Sequence, residues 1–533
     1  MIEVRVKCVS AQWPILWVGL GVRLLSTATS THRLFINSSF RMQVLPRLGG
    51  NRLHSLTRFS APVLRRASTT MAPRFIPSRL DAIENIENYR PGGYHPISIG
   101  DIFDHGRFRV LCKLGSGGSS TVWLARDQRE EGDRGRIVTL KAMRADVSSS
   151  KVPSEIPELA ISQKLRASLP PSESVDFQTV DHHFFVQGPN GSHLFLVFPL
   201  AGPNIRAMSD SPGRISGSRR LRADLARKVA KQTAMVLHHM HCAGVVHGGK
   251  HSSASFSTMS VADERFHLDL TTSNILFRLS PHVIKWSDTE VYTHLGDPET
   301  EDVSTRDGQP GGPHTPAMLV EPAQNSKMSD ATLLQESIIV GDFGQSYIIA
   351  SPPPSYKPGT VLNYQSPEAR FEGRVGLETD IWALGCAIFE IRAGFPLFEP
   401  FLGSDVVILK QTVETLGRPP DPWWAAFKQR ALWFEEDGQP KNEQDQERAG
   451  VVLKAHRSSI RAKLLKIGEQ DNPPSKDEGP MIEKSGVRLH EEEVGLLEDL
   501  LEKMLKYRPE ERIRIQDVIQ HPWFWLSRDV TWL

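Results

Sequence analysis

A glycine-rich turn between two apparent strands is the feature that most constrains how this chain folds. Residues 115–122 read Gly-Ser-Gly-Gly-Ser-Ser-Thr-Val and lie between two runs with strand character, 108–114 and 122–126. Lys141 follows at the end of Val-Thr-Leu-Lys. The backbone amides of such a turn close over a polyphosphate, and a lysine on the next strand holds the same phosphates as a point charge. The pattern predicts a nucleotide site, although a Gly/Ser run alone is also typical of a flexible hairpin.

The composition is that of an ordinary globular protein. With 533 residues, 39% hydrophobic and 23% charged, the chain is long enough for two cores. Lysine plus arginine number 63 against 62 acidic residues, so the net charge of +1 predicts no direct nucleic-acid binding. The 4 cysteines include no Cys-x-x-Cys pair, which argues against a zinc ribbon and a disulfide scaffold. We therefore expect an intracellular protein.

The first 80 residues differ from the rest. Between residues 3 and 81 there is no acidic residue, and arginines recur among serines and threonines. This composition is typical of an organelle transit peptide. A disordered tail, or upstream sequence preceding a true start at Met42 or Met71, would look the same. The apolar run 14–25 is shorter than the roughly 20 residues that span a bilayer, so we expect no membrane span.

The periodicity predicts a small strand-rich lobe at residues 81–200 and a larger helical lobe at 201–527. Two inserts interrupt the second lobe, at 249–268 and at about 280–336, and the second is rich in Pro, Gly, Asp and Thr, which predicts a mobile surface loop. The predicted helices lie at 155–167, 221–241, 378–393 and 491–525, and the predicted further strands at 183–186, 193–200 and 282–286.

Two motifs lie downstream of the glycine-rich turn. Residues 342–344 read Asp-Phe-Gly directly after a short buried strand, and residues 366–368 read Ser-Pro-Glu. A glycine loop, a strand lysine, a helix glutamate, Asp-Phe-Gly and a Pro-Glu pair, in that order, are the protein-kinase signature set. The chain therefore resembles the eukaryotic-type serine/threonine protein kinases.

Two longer segments narrow the resemblance. Residues 92–101 read Gly-Gly-Tyr-His-Pro-Ile-Ser-Ile-Gly-Asp, and residues 113–125 read Lys-Leu-Gly-Ser-Gly-Gly-Ser-Ser-Thr-Val-Trp-Leu-Ala. Ser120 stands where most kinases have a third glycine, and Trp123 adds to the specificity. Over residues 89–525 the chain resembles the SR-protein kinase (SRPK) family, in its fungal form.

The resemblance implies an α+β, two-lobed protein-kinase fold with ATP in the cleft between a small β-rich lobe and a larger α-helical lobe. By it, Lys141 pairs with Glu158, with Glu155 as the competing partner, and that pair orients Lys141 toward the phosphates. Phe198 would guard the back of the adenine pocket. The implied nucleotide-binding residues are Leu114, Gly115, Ser116, Gly117, Gly118, Ser119, Ser120, Val122, Lys141, Phe198, the carbonyl of Pro199 and the N–H of Ala201.

The catalytic loop is interrupted. His247-Gly248 is followed by residues 249–268 before Asp-Leu-Thr-Thr-Ser-Asn at 269–274, and without them the loop reads His-Gly-Asp-Leu-Thr-Thr-Ser-Asn. By resemblance, His247 belongs to this loop, Asp269 accepts the substrate hydroxyl proton, and Asn274 and Asp342 hold Mg²⁺. The insert is interpreted as a translated, unspliced intron; a true surface insertion and a disabled loop are the alternatives.

Further residues match the family pattern or depart from it. Asp380 resembles the aspartate that braces the catalytic loop, and Glu368 would pair with Arg512. Thr271 replaces the lysine usually found near the transferred phosphate. The acidic docking groove of the family is only partly recognisable, in Asp405 and Glu414.

The resemblance implies a non-specific serine/threonine protein kinase, a monomer, that transfers the γ-phosphoryl group of Mg-ATP to protein substrates. Arg-Ser-rich splicing factors are the implied substrates, which would connect the protein to mRNA processing. The alternative is a pseudokinase or ATP-binding scaffold, in which the catalytic loop is permanently interrupted. A small-molecule kinase is a weaker alternative. The family points to nucleus and cytoplasm, whereas the N-terminal tail points to mitochondria.

Overall fold

The computed structural model describes residues 73–129, 135–148, 152, 155–170, 176–210, 217–248, 270–351, 361–399, 404–469, 471–473 and 479–526. The chain divides into two units, residues 1–71 and 72–533, and every described residue belongs to the second. Most of the predicted tail, the whole of the insert 249–268 and Asp269 lie outside the described residues.

An antiparallel sheet forms the first lobe, in the strand order β1-β2-β3-β4-β6-β5. β-branched or aromatic residues occur in each of its strands, and their side chains pack well on a pleated surface. Its core contains Phe108, Val110, Trp123, Leu140 and Phe195. The strands are β1 (Ile102–Phe103), β2 (Phe108–Gly117), β3 (Ser120–Asp127), β4 (Ile137–Met143), β5 (His182–Gly188) and β6 (Gly191–Pro199).

Two helices connect β4 to β5. The first, α1 (Ala145–Ser148), is a single turn directly after β4. The second, α2 (Pro157–Ser168), has its proline at the first helical position, where no backbone donor is lost. It therefore begins two residues after the predicted start at 155, and it buries Leu159 and Leu165 on the side that faces the core.

The second lobe is mainly helical. Its centre is the helix Leu377–Ala393, named α8, because residues 379–393 of that helix are all buried. The helices of this lobe, apart from those in the insert, are α3 (Ile205–Asp210), α4 (Ala223–Cys242), α7 (Pro367–Phe371), α8 (Leu377–Ala393), α9 (Asp405–Leu416), α10 (Asp421–Ala426), α11 (Glu443–Arg448), α12 (Ile460–Leu465), α13 (Glu491–Met504) and α14 (Ile515–Val518). Within the described ranges, no helix has the length and hydropathy to cross a lipid bilayer.

Two short antiparallel pairs lie in the second lobe near the first. The pair β7 (Val245–Val246) and β12 (Tyr347–Ile348) holds the segment that leads into the interrupted catalytic loop. The pair β8 (Ile275–Leu279) and β11 (Leu334–Val340) aligns Ile275 with Val340. Residue 274 directly precedes β8, and residue 342 lies two positions after the end of β11. The second pair therefore brings these two motif residues together.

The prediction of a loop at 280–336 is wrong. The segment contains α5 (Asp288–Leu295), a hairpin of β9 (Thr300–Asp302) with β10 (Met318–Val320), and α6 (Asn325–Met328). The strand predicted at 282–286 is also wrong, because a 3-10 helix (Val283–Lys285) occupies that place.

The insert 280–336 packs against the sheet of the first lobe. Arg126 of β3, which is fully buried, donates from Nε to Asp288 Oδ1 and from Nη2 to the carbonyl of Trp286, each at 2.7 Å. Lys113 of β2 pairs with Glu84 and donates to the carbonyl of Val320 at 3.2 Å. The insert is therefore part of the folded core rather than a loop on the surface.

The last residues of the predicted tail are folded as well. Phe75 is buried and forms a bridge with Thr305 of the insert. Its backbone N–H donates to Glu87 at 3.0 Å. The folded part of the chain accordingly begins before residue 81, where the first lobe was predicted to start.

Candidate active site

The glycine-rich loop is the hairpin between β2 and β3. Gly117 pairs with Ser120 across a turn made of Gly118 and Ser119, and Gly115 pairs with Val122 further down the ladder. The predicted nucleotide-binding residues from Leu114 to Val122 therefore all lie on this one hairpin. Its two strands are longer than predicted, because the ladder continues to the tip.

Lys141 of β4 lies between two carboxylates. Its Nζ is 2.8 Å from both carboxylate oxygens of Glu158 on α2 and 3.2 Å from Oδ1 of Asp342. The partner is thus Glu158, and not Glu155. Burial by itself would lower the pKa of Lys141, but the charges of Asp342 and Glu158 outweigh it and raise the pKa above its ordinary value. Lys141 is therefore a cation at neutral pH.

Asp342 follows the end of β11 in a left-handed backbone conformation, with φ +60°. A residue with a side chain rarely adopts this conformation, and such strain concentrates at functional sites. The next residue, Phe343, turns inward and is 1% exposed, with its ring centroid 5.8 Å from that of His247. This buried ring contact fixes the turn that directs the Asp342 carboxylate toward Lys141.

Asn274 directly precedes β8 and lies beside Asp342. The N–H of Gly341 donates to the carbonyl of Asn274 at 3.0 Å, and the next pair in the ladder is Val340 with Ile275. An amide and a carboxylate side chain thus leave adjacent strands at the same end. Carboxylate and amide oxygens are ligands that Mg²⁺ accepts, so these two residues fit the predicted metal.

Asp380 braces the start of the catalytic loop, as the sequence predicts. Its carboxylate accepts the backbone N–H of His247 at 2.9 Å and that of Gly248 at 3.1 Å. Burial lowers the pKa of His247, which keeps its imidazole neutral. Asp269 lies outside the described residues, so its role remains a prediction.

The predicted adenine site lies at the end of β6. Phe198 is buried and is paired with Thr139 in the ladder between β4 and β6, and Pro199 is the last residue of the strand. Ala201 follows in the connector to the second lobe. The backbone groups predicted to bind the base are therefore located where the sheet passes into the helical lobe.

Sequence reasoning missed a buried support for the catalytic loop. Thr272 Oγ1 donates to Glu390 Oε1 at 2.8 Å, and the Tyr364 hydroxyl donates to the other oxygen of the same carboxylate. The Thr272 N–H also lies 3.4 Å from the Tyr364 oxygen. The available signal was Glu390 itself, an acidic residue in the otherwise apolar run 381–391 of α8. Thr271, which replaces the lysine usual in serine/threonine kinases, lies beside Thr272 and is also buried.

The predicted ion pair of α7 and the two predicted docking carboxylates of α9 differ in their surroundings. Glu368 and Arg512 form a buried, two-point ion pair with both N–O distances at 2.7 Å. On α9, Asp405 pairs with Arg370 at 2.6 Å and stays half-exposed. Glu414 is largely buried, pairs with Lys410 at 2.8 Å and accepts the N–H of residue 456 at 2.7 Å. Glu414 is thus engaged within the fold.

Comparison with known proteins shows that the chain is similar to protein kinases. The protein kinase domain model matches residues 328–524. A serine/threonine-protein kinase SRPK from Physarum polycephalum is 23% identical over 450 residues, which cover 83% of this chain and 91% of the relative. Protein kinase dsk1 of Schizosaccharomyces pombe is 26% identical over 60% of this chain and 67% of its own. Human SRSF protein kinase 3 is 36% identical over 121 residues, 22% of this chain and 20% of the relative.

Proposed function

Because the chain is a serine/threonine protein kinase similar to the SRPK kinases, we propose that it transfers the γ-phosphoryl group of Mg-ATP to serines in arginine- and serine-rich protein segments. The observation that carries this proposal is the contact of Lys141 with both Glu158 and Asp342. It joins β4, α2 and the turn after β11 in one charged group. Such a group positions a polyphosphate, and phosphoryl transfer depends mainly on positioning and charge stabilisation.

The proposed roles follow from the geometry. Lys141 and the amides of residues 115–120 hold the phosphates, and Phe198 limits the depth of the base site. Asp342 and Asn274 would hold Mg²⁺, which supplies charge neutralisation on the phosphates when it is bound. Asp269 accepts the proton of the substrate hydroxyl. Since Lys141 is kept cationic by its carboxylate neighbours, its charge is available at neutral pH.

The substrate class is supported by the name of a relative, SRSF protein kinase 3, and by one carboxylate on α9. Of the two docking carboxylates predicted there, Asp405 has a side chain that is 49% exposed, whereas that of Glu414 is 11% exposed. Asp405 is therefore the better candidate to attract an arginine of the substrate. An arriving arginine would share this carboxylate with Arg370.

Substitution Asp405→Asn is expected to raise KM for an Arg-Ser repeat peptide about 2- to 5-fold, the usual value of one exposed ion pair, and to leave kcat unchanged. The matched control is Asp421→Asn, an exposed carboxylate on α10 that pairs with Arg418. Initial rates against peptide concentration measure both. The proposed substrate class is contradicted if the wild-type enzyme phosphorylates a Lys-Ser repeat peptide with the same efficiency as an Arg-Ser repeat peptide.

The scaffold alternative rests on residues 249–268, which lie outside the described residues. It is less favoured, because the relatives, including one that matches over 83% of this chain, are named as serine/threonine kinases. We retain the hypothesis that 249–268 derives from an unspliced intron. Peptide mapping of the native protein tests it, since recovery of a peptide from this segment contradicts it.

We further propose that the kinase acts as a monomer in the nucleus and cytoplasm, in line with the family resemblance. Imaging of the full chain with a fluorescent tag at its C-terminus tests the location, and a mitochondrial signal contradicts it. The tail on which the mitochondrial alternative rested lies mostly outside the described residues.

A further inference from the structure

The Gly-Gly-Tyr segment at residues 92–94 forms a tight turn that docks on the chain just after β4. A Cβ on Gly93 would lie 1.8 Å from the carbonyl oxygen of Asn88, so only glycine fits there. The N–H of residue 146 donates to the carbonyl of residue 92 at 2.8 Å, and the N–H of residue 145 donates to the carbonyl of residue 93 at 3.0 Å. The turn therefore fixes where the side chain of Tyr94 begins.

Tyr94 reaches the tip of the glycine-rich loop. Its hydroxyl donates to the carbonyl of Gly117 at 2.7 Å, and its ring is buried. The guanidinium of Arg144 lies 5.4 Å from the centre of the Tyr94 ring, within cation–π distance. Arg144 also donates from Nη1 to the carbonyl of Gly118 at 3.4 Å and from its backbone N–H to that of Ser119 at 2.9 Å.

All three carbonyls at the tip, those of residues 117–119, thus accept hydrogen bonds from Tyr94 or Arg144. A glycine-rich loop binds phosphates through its amides, while its carbonyl oxygens would repel the same charge. Glycine also leaves the loop many conformations, which must be restricted when ATP binds. We propose that Tyr94 and Arg144 are positioning residues. They hold the tip of the loop in the conformation in which its backbone amides bind the phosphates of ATP.

The pair is itself fixed from two sides. Asp146 accepts from Arg144 Nη2 at 2.6 Å, which orients the guanidinium. Asn190, in the turn between β5 and β6, donates to the carbonyl of Tyr94 at 2.6 Å and to the carbonyl of His314 in the insert at 2.8 Å. The insert and the sheet therefore both hold the segment that carries Tyr94.

Tyr94→Phe removes only the hydroxyl that contacts the loop. In the full chain we expect the Kd for ATP with Mg²⁺ to rise about 3- to 10-fold, the range of one lost hydrogen bond, while the Kd for adenosine stays unchanged. Arg144→Lys, which keeps the charge and the backbone N–H, is expected to weaken ATP binding with the same selectivity. Isothermal titration with the two ligands measures both values.

Tyr89→Phe is the matched control, because the Tyr89 ring lies 5.5 Å from that of Tyr94 while its hydroxyl donates to Glu84 instead of the loop. It should bind ATP and adenosine as the wild type does. The proposal is overturned if Tyr94→Phe binds ATP normally, if it loses ATP and adenosine equally, or if Tyr89→Phe shows the same ATP-specific loss.

The inference rests on the proposed phosphoryl-transfer function, yet the titration needs no turnover. A wild-type chain that binds ATP but transfers no phosphate would therefore contradict the proposed function and leave this test valid.

Discussion

Lys141→Met is expected to lower the rate of phosphate transfer about 10²- to 10³-fold, as the loss of one preorganised charge at a reacting centre does. Methionine has a similar length without the charge, so the contacts with Glu158 at 2.8 Å and Asp342 at 3.2 Å would be lost. The phosphates would then meet two carboxylates without the cation between them. Initial rates with an Arg-Ser repeat peptide measure the effect.

Lys228→Met is the matched control for this prediction. The side chain of Lys228 is 52% exposed on α4, and its nearest acidic partner, Glu336, lies 4.0 Å away. We expect a wild-type rate and melting temperature for this variant. A Lys141→Met protein that is folded and transfers phosphate at the wild-type rate would show that Lys141 does not act on the phosphates.

Asp288→Ala is expected to lower the free energy of unfolding by about 3–5 kcal/mol, because it leaves a buried arginine without its counter-charge. Asp288 accepts from Arg126, which is fully buried, and from Arg109 at 2.5 Å. Both arginines belong to the sheet, whereas Asp288 belongs to the insert. Urea denaturation of the full chain measures the loss.

Asp302→Ala, an exposed carboxylate on β9 of the same insert, is the control and should change stability little. If Asp288→Ala is as stable as this control, the insert 280–336 does not pack on the sheet. The segment would then be a surface loop, as its composition predicts.

The contribution of Asp288 also depends on pH. Burial would raise the pKa of this carboxyl, but the hydrogen bonds and charges of Arg109 and Arg126 outweigh burial and hold the pKa below its ordinary value. A carboxyl with a lowered pKa in the folded state stabilises the fold above its unfolded pKa of about 3.9. The difference in stability between wild type and Asp288→Ala should therefore shrink as the pH falls below that value.

Local patterns in the sequence were sufficient for the elements that form the cleft. The strands on either side of the glycine loop alternate or run apolar over several residues, and α4 and α8 have long helical periods, so tertiary contacts only adjusted their ends. The pairing of Lys141 with Glu158 followed from the family resemblance. The structure agrees because Pro157 starts α2 one residue before Glu158 and so places that glutamate in the first turn.

The insert could not be predicted in the same way. Its strands β9 and β10 have three residues each, too few for a periodic pattern, and Pro and Gly around them favour a loop. What orders the segment is contact with residues far away in the chain, such as Arg126. The link from Tyr94 to Gly117 and the burial of Glu390 are likewise tertiary contacts that leave no periodic signal.

The most direct test of an active kinase is the transfer of the γ-phosphoryl group from labelled ATP to an Arg-Ser repeat peptide by the purified native protein. Asp269→Asn, which removes the proposed base, is assayed beside it. The account predicts phosphoserine in the peptide with the wild type and a loss of about 10²-fold or more with the variant. A wild-type chain that binds ATP but leaves the peptide unmodified, or an Asp269→Asn variant with full activity, would contradict it.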